Sequence, residues 1–159
     1  MVSFMMFSQL NEYKRAMKKS SFHARLIISI LFLEKIGFLP LLFKVMRKLI
    51  NQCIYHCEIH PDSFFSAKAI LTLRLPHPFL IIIHRSARIG NDVTLFHNVT
   101  IGAREHRHSG FPIVHDGAYI STGVTIIGDV SIGSNAVIGA GSVVLKNVSE
   151  DGFAVGVYK

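Results

Sequence analysis

The sequence predicts a β-solenoid, a coil of short strands repeating every six residues, preceded by a small helical segment. Three observations carry this expectation: a sixfold recurrence of branched aliphatics, a second inward column two residues ahead of it, and a change of character near residue 56. Every sixth position reads Ile83, Ile89, Leu95 and Ile101, then Val114, Ile120, Ile126, Ile132, Ile138 and Val144. The second column reads Ile81, Ala87, Val93 and Val99, then Pro112, Ala118, Val124, Val130, Ala136 and Ser142. A period of six matches neither the 3.6 of a helix nor the 2 of a free strand. It matches a triangular coil in which each side is one short strand plus a tight turn. The aliphatic fills the interior, and the Gly, Asn and Asp residues that follow tolerate the turn backbone. Each coil leaves apolar ends until another stacks on it, so stability comes from neighbour interfaces. An ordinary sandwich would instead show alternating runs at about 8–12-residue spacing.

Residues 1–56 read as a basic helical segment, and residues 57–159 as the coil. Leu26–Ile36 is apolar all round, Gly37 and Pro40 break it, and Leu41–Ile50 resumes with Lys44, Arg47 and Lys48 on one face and Leu42, Val45, Met46 and Leu49 on the other. The helical pair is expected to cap the open end of the coil and present the three cations outward. Backwards from Ile83 the phase is open: Ile59, Phe65, Leu71 and His77 keep sixfold spacing, and so do Ser63, Ala69 and Leu75. The first coil is placed at roughly residues 58–80. From Ile101 to Val114 the step is 13 residues, either one more than two hexads or seven more than one. A polar, basic loop over residues 103–111 breaks the pattern there, as surface loops do.

Charge is uneven. Residues 1–56 carry nine Lys/Arg against Glu12 and Glu34, while the remainder holds eight basic and eight acidic side chains. That basic excess favours an anionic membrane surface, screened by salt, as a peripheral partner. No recognition motif accompanies it, so nucleic acid is not expected. Leu26–Met46 is interrupted by Glu34, Lys35, Gly37 and Pro40, short of the roughly 20 apolar residues of a membrane span. No signal-peptide layout opens the chain, so a cytoplasmic protein is expected, with the inner membrane face as its peripheral site. Cys53 and Cys57 lie near His56 and His60, but paired zinc ligands usually come as two separated knuckles. Reduced thiols, and no metal, are the expectation.

Three stretches carry a resemblance: Leu75-Pro-His-Pro-Phe-Leu-Ile-Ile-Ile83, Asn91-Asp-Val-Thr-Leu-Phe-His-Asn-Val-Thr-Ile-Gly102 and Ile138-Gly-Ala-Gly-Ser-Val-Val144. They resemble the hexapeptide acyltransferases, within them the serine acetyltransferase group and its shorter relatives from polysaccharide gene clusters. The resemblance covers about residues 57–157 and implies a left-handed parallel β-helix, acetyl-CoA as co-substrate and a homotrimer with sites between subunits. It places the catalytic histidine at His77, where an imidazole titrating near neutrality removes the proton of an attacking hydroxyl. The family's orienting Asp precedes an Ile-His-Pro sequence. Glu58 stands there in this chain, as a partner for the imidazole or as a solvated carboxylate.

The same likeness implies that Gly102, Ala103, Gly123, Gly141 and Ser142 let the pantetheine arm lie against the backbone, with Lys146 meeting a CoA phosphate. The terminal arm that flanks CoA in the family is reduced here to Gly156-Val-Tyr-Lys159. Two family positions that hold the charged groups of serine are replaced by Pro76 and Phe111. His97, His106, His108 and Phe111 are the candidate acceptor residues, and His84 joins His97 at the expected subunit interface. The acceptor is expected to be a sugar hydroxyl of a surface polysaccharide or its precursor. L-serine is the alternative within the class, and a non-catalytic scaffold is the alternative outside it. A nucleotidyltransferase is disfavoured, because no phosphate-cradling domain precedes the repeats.

Overall fold

In the computed structural model, which describes residues 21–104 and 110–159, strands three apart in sequence pair in parallel until the last two strands, which pair two apart. His106, Arg107 and His108 of the loop, and Lys14, Arg15, Lys18 and Lys19 of the basic segment, lie outside the described residues. The first regular coil comprises β1 (Ile82–Ile83), β2 (Arg88–Ile89) and β3 (Thr94–Leu95). The second comprises β4 (Thr100–Gly102), β5 (Ile113–Val114) and β6 (Tyr119–Ile120). The third comprises β7 (Thr125–Ile127), β8 (Ser131–Ile132) and β9 (Val137–Ile138), followed by β10 (Val143–Val144), β11 (Phe153–Ala154) and β12 (Val157–Tyr158). The strands form three parallel sheets: β1-β4-β7-β10-β12, β2-β5-β8 and β3-β6-β9-β11. That strand order makes a three-sided parallel coil.

Both predicted columns are buried along their whole length, from Ile81 and Ile83 to Ser142 and Val144. In the two-residue strands from β1 to β11 the second side chain is buried, and the sixfold aliphatic occupies that position. Thr94 pairs with Tyr119, a step of 25 residues, where Tyr119 to Val137 takes 18. Arg88 to Ile113 and Thr100 to Thr125 show the same longer step. The break after Ile101 is therefore seven residues inserted into one side, and all three sheets keep register across it.

Before β1 the coil is irregular. Single bridges join Glu58 to Ile82, Phe64 to Ile89 and Arg74 to Thr94, one on each sheet. Of the two sixfold series, Ser63, Ala69 and Leu75 are all buried, whereas Phe65 and His77 of the other are exposed. A short helix, α3 (Ala67–Thr72), interrupts this coil. Ser66 caps it by accepting a bond from the Ala69 amide at 3.1 Å, ahead of the helix-favouring run Ala-Lys-Ala-Ile-Leu.

The helices begin at α1 (Phe22–Lys35), capped by Ser21 and ending with Lys35 in its last turn. Ala24, Ile27, Ile28 and Leu31 are buried at helical spacing in one core with Ile70 and Leu71 of the irregular coil. Burying each isoleucine or leucine contributes about 1.5–3 kcal/mol as an upper estimate. Gly37 (φ 74°) and Leu39 (φ 43°) turn the chain, and Pro40 opens α2 (Pro40–Met46). A π-helical segment follows over Arg47–Ile54.

This second helical stretch departs from the expectation in two ways. Arg47 is not presented outward: it is 5% exposed and pairs with Glu34 of α1 at 2.8 Å. Leu42, Val45 and Leu49, expected to face inward, are 50%, 47% and 59% exposed. Winding widens from Arg47 on, so beyond it faces no longer recur at three and four residues as an α-helical pattern assumes; Leu42 and Val45 lie before that change, in an α2 that buries no residue. No described helix is long and apolar enough to cross a membrane.

Candidate active site

His77 stands at a corner between the sheet of β3-β6-β9-β11 and the sheet of β1-β4-β7-β10-β12. Leu75 and Pro78, both buried, anchor the chain on either side of it, and the imidazole is exposed. The Phe79 amide donates back to the His77 carbonyl at 2.9 Å. The Leu80 amide donates to Tyr55 of the helical segment, and the Asn98 amide of the next coil donates to the Phe79 carbonyl. A loop held from both sides presents its side chain with little freedom.

Rings gather around it. His97 meets His77 edge-on, centroids 5.9 Å apart and planes at 77°, and Phe96 lies 6.3 Å away. Tyr119, one coil further, packs 5.3 Å from Phe96. His97 Nε2 is 2.8 Å from the Thr122 hydroxyl, which also lies 3.1 Å from the His97 carbonyl. The hydroxyl has one proton to give, so its choice between these two acceptors sets the His97 tautomer. Phe96, Tyr119 and Thr122 were not identified from the sequence as site residues.

Glu58 is exposed, and its backbone bonds Ile81 and Ile83 across the sheet. Among the described residues no hydrogen bond joins its carboxylate to His77. Phe111 lies elsewhere, at the opposite edge of the β1-β4-β7-β10-β12 sheet. There it stacks on His84, centroids 4.9 Å apart and planes at 14°.

The residues expected for the cofactor divide between those two edges. Gly102, Ala103 and Lys146 share the Phe111 edge, and Gly123 and Gly141 share the His77 edge. Gly123 (φ 70°) and Gly141 (φ 68°) stack on one another, and a Cβ on Gly123 would lie at ordinary contact distance, 3.8 Å, from the Gly141 Cα. With Asn98 (φ 57°) below them they form a column of left-handed turns whose backbone is open on the outside. Ser142 is fully buried and its hydroxyl donates to the Gly139 carbonyl, so it presents only its backbone to the outside. Lys146 is exposed, its ammonium 4.8 Å above the Tyr158 ring.

Other polar clusters have partners. Cys57 is buried with its thiol donating toward the Tyr55 and Pro78 carbonyls, and burial pushes that thiol up in pKa, which suits an inert core residue. Cys53 is exposed. Burial, and next the Arg47 charge, lower the pKa of His60. A groove of about 470 Å³ runs between Lys35, Asp62, Phe65, Arg85 and Arg88, away from His77. Its cations are engaged: Arg85 holds Asp62 at 2.7 Å, and Lys35 and Arg88 donate to carbonyls. Among the described residues no three His, Cys, Asp or Glu side chains cluster as metal ligands.

A three-sided coil of short strands repeating every six residues, with an exposed histidine and a glycine column at one corner, is the architecture of hexapeptide-repeat transferases. The family described as bacterial transferase hexapeptide (six repeats) matches residues 111–146. Serine acetyltransferase of Buchnera aphidicola subsp. Acyrthosiphon pisum is 38% identical over 108 residues, 65% of this chain and 37% of that relative. The putative colanic acid biosynthesis acetyltransferase WcaB of Escherichia coli K12 is 31% identical over 117 residues, 74% of this chain and 68% of that one. A solved serine acetyltransferase in complex with CoA superposes with a TM-score of 0.67 at 28% identity, covering 86% of this chain and 54% of that one. The Neisseria gonorrhoeae serine acetyltransferase in complex with serine gives the same TM-score, 0.67, and the same identity, 28%. This chain belongs to the bacterial hexapeptide-repeat transferases, in the group that holds the serine acetyltransferases and WcaB. It spans about half the length or less of the serine acetyltransferases it matches.

Proposed function

We propose that this chain is an acetyl-CoA-dependent O-acetyltransferase with His77 as its general base and a sugar hydroxyl as acceptor. The observation that carries the reading is the corner itself: an exposed, backbone-pinned imidazole with Phe96, His97 and Tyr119 packed beside it. His77 takes the proton of the acceptor hydroxyl as its oxygen attacks the thioester carbonyl. The tetrahedral intermediate collapses, the C–S bond breaks, and the leaving thiolate takes the proton back from the imidazolium. The aromatic faces suit the apolar side of a pyranose. Serine would instead need partners for its ammonium and carboxylate, or their desolvation would cost several kcal/mol. Proline and phenylalanine occupy the two positions where the family supplies such partners.

The winding is read as left-handed, with residues 1–56 as the helical segment and 57–159 as the transferase coil. The protein is read as a homotrimer working on cytoplasmic acetyl-CoA. Within one chain His77 and Phe111 sit at opposite edges of one sheet, and the cofactor residues divide the same way. A neighbouring copy that sets one edge against the other would complete the site, and would enclose a cofactor that one side alone leaves exposed. The similarity to serine acetyltransferases favours L-serine as the competing acceptor.

The experiment is release of free CoA thiol from acetyl-CoA with L-serine, nucleotide sugars or oligosaccharides as acceptors. Turnover with a saccharide and poor turnover with serine is expected. Ordinary turnover with serine alone overturns the sugar assignment, and no turnover with any acceptor favours the scaffold.

A further inference from the structure

The helical hairpin displays an apolar face that the coil does not use. No residue of α2 is buried. Ile36, Phe38 and Leu39 at the turn, with Leu41, Leu42, Val45 and Leu49 beyond it, are 45–76% exposed within fourteen residues of chain. Contiguous apolar surface of this kind marks an interaction site on a soluble fold. The charges among these side chains are of one sign. Lys44 and Lys48 are exposed, and the one carboxylate of residues 21–56, Glu34, is buried against Arg47.

That pairing of properties selects the occupant. A second copy meeting this face through a two-fold would set Lys44 and Lys48 against their own kind, with no carboxylate in the patch to offset them. An anionic bilayer satisfies both halves at once: leucines and valine enter the headgroup–acyl boundary while the ammonium groups meet lipid phosphates. We propose that the Ile36–Leu49 hairpin is a membrane-docking surface that seats the enzyme flat on anionic lipid. The inference goes beyond the catalytic proposal and stands whichever acceptor that site uses.

Sedimentation of the full chain with vesicles of phosphatidylcholine alone, or mixed with phosphatidylglycerol, tests it at low and high salt. Co-pelleting with the anionic vesicles, lost at high salt, is expected. Lys44→Glu with Lys48→Glu should weaken it by about tenfold or more. Leu41→Gln with Val45→Gln should weaken it at low salt, with the charge of the patch unaltered, while leaving the melting temperature in place, because both residues are exposed. Equal pelleting with neutral vesicles, or none with either, overturns the proposal. So does binding that neither double variant changes, which would put the contact elsewhere in the chain. Self-association abolished by Leu41→Gln with Val45→Gln, without vesicle binding, assigns the face to a second copy.

Discussion

At the scale of single residues, the corner around His77 combines one reactive group with several that only shape its surroundings. His77→Ala should lower acetyl transfer by about a hundred- to ten-thousandfold, a barrier of roughly 3–5 kcal/mol. The ring is exposed and bears no structural hydrogen bond, so melting and oligomeric state should not move; retained turnover removes His77 from the mechanism. Phe96 and Tyr119 act differently, as a surface for the acceptor. Replacing either with Ala should raise KM for a saccharide about tenfold, the worth of one aromatic contact, with KM for acetyl-CoA unchanged. Equal effects on both substrates would mean that the rings merely support the coil. The candidacy of His77 is legible in sequence from the Leu-Pro-His-Pro stretch, although two sixfold series compete there and the structure decides that Leu75 is buried and His77 exposed. The partnership of His97 with Thr122 is not legible there. It spans a coil step lengthened by the insertion, and only the strand register reveals which residues become neighbours.

At the scale of elements, the strands were readable and the helices only partly so. A strand of two residues in a coil has one inward position, and sixfold spacing names it without ambiguity. A helix has no such restriction, and α2 shows the consequence: its amphipathic pattern is real, yet Leu41, Leu42 and Val45 stay exposed among the described residues. Arg47 sits where winding changes from α to π, and it turns in to Glu34 with side-chain exposures of 6% and 11%. Removing one partner from so buried a pair leaves a charge without compensation. Arg47→Met is expected to cost about 3–5 kcal/mol in urea unfolding. Combining it with Glu34→Leu should recover most of that loss, since the pair together is worth far less than either charge stranded. A double variant as unstable as the single one would show that the pair holds the hairpin through packing.

At the scale of the whole molecule, the coils are tied to one another at their corners as well as through their cores. Asp116 of the second coil accepts from both the amide and the side chain of Asn91 in the first, at 2.8 and 2.9 Å, and these bonds hold its carboxyl below the usual carboxylate range. The Arg85 guanidinium does the same for Asp62, between the irregular coil and the first. A folded-state pKa depressed in this way adds stability above the unfolded carboxylate range, and that stability is lost as pH falls through the folded value. Thermal stability should therefore hold at neutral pH and decline below the ordinary carboxylate range. Asp116→Asn should flatten that acid limb, and an unchanged pH profile would assign the acid sensitivity to other groups.

The seven-residue insertion between β4 and β5 has a consequence for how such a protein can diversify. The chain leaves the ladder after Gly102 and returns at the next side with all three sheets in step, so the excursion leaves the register of the coils above and below intact. Its length and composition are thus decoupled from folding. A lineage can rewrite that segment, and with it whatever the edge at Phe111 encounters, while the ladder of isoleucines and valines stays untouched. The scaffold inherits as one module and the excursion as another.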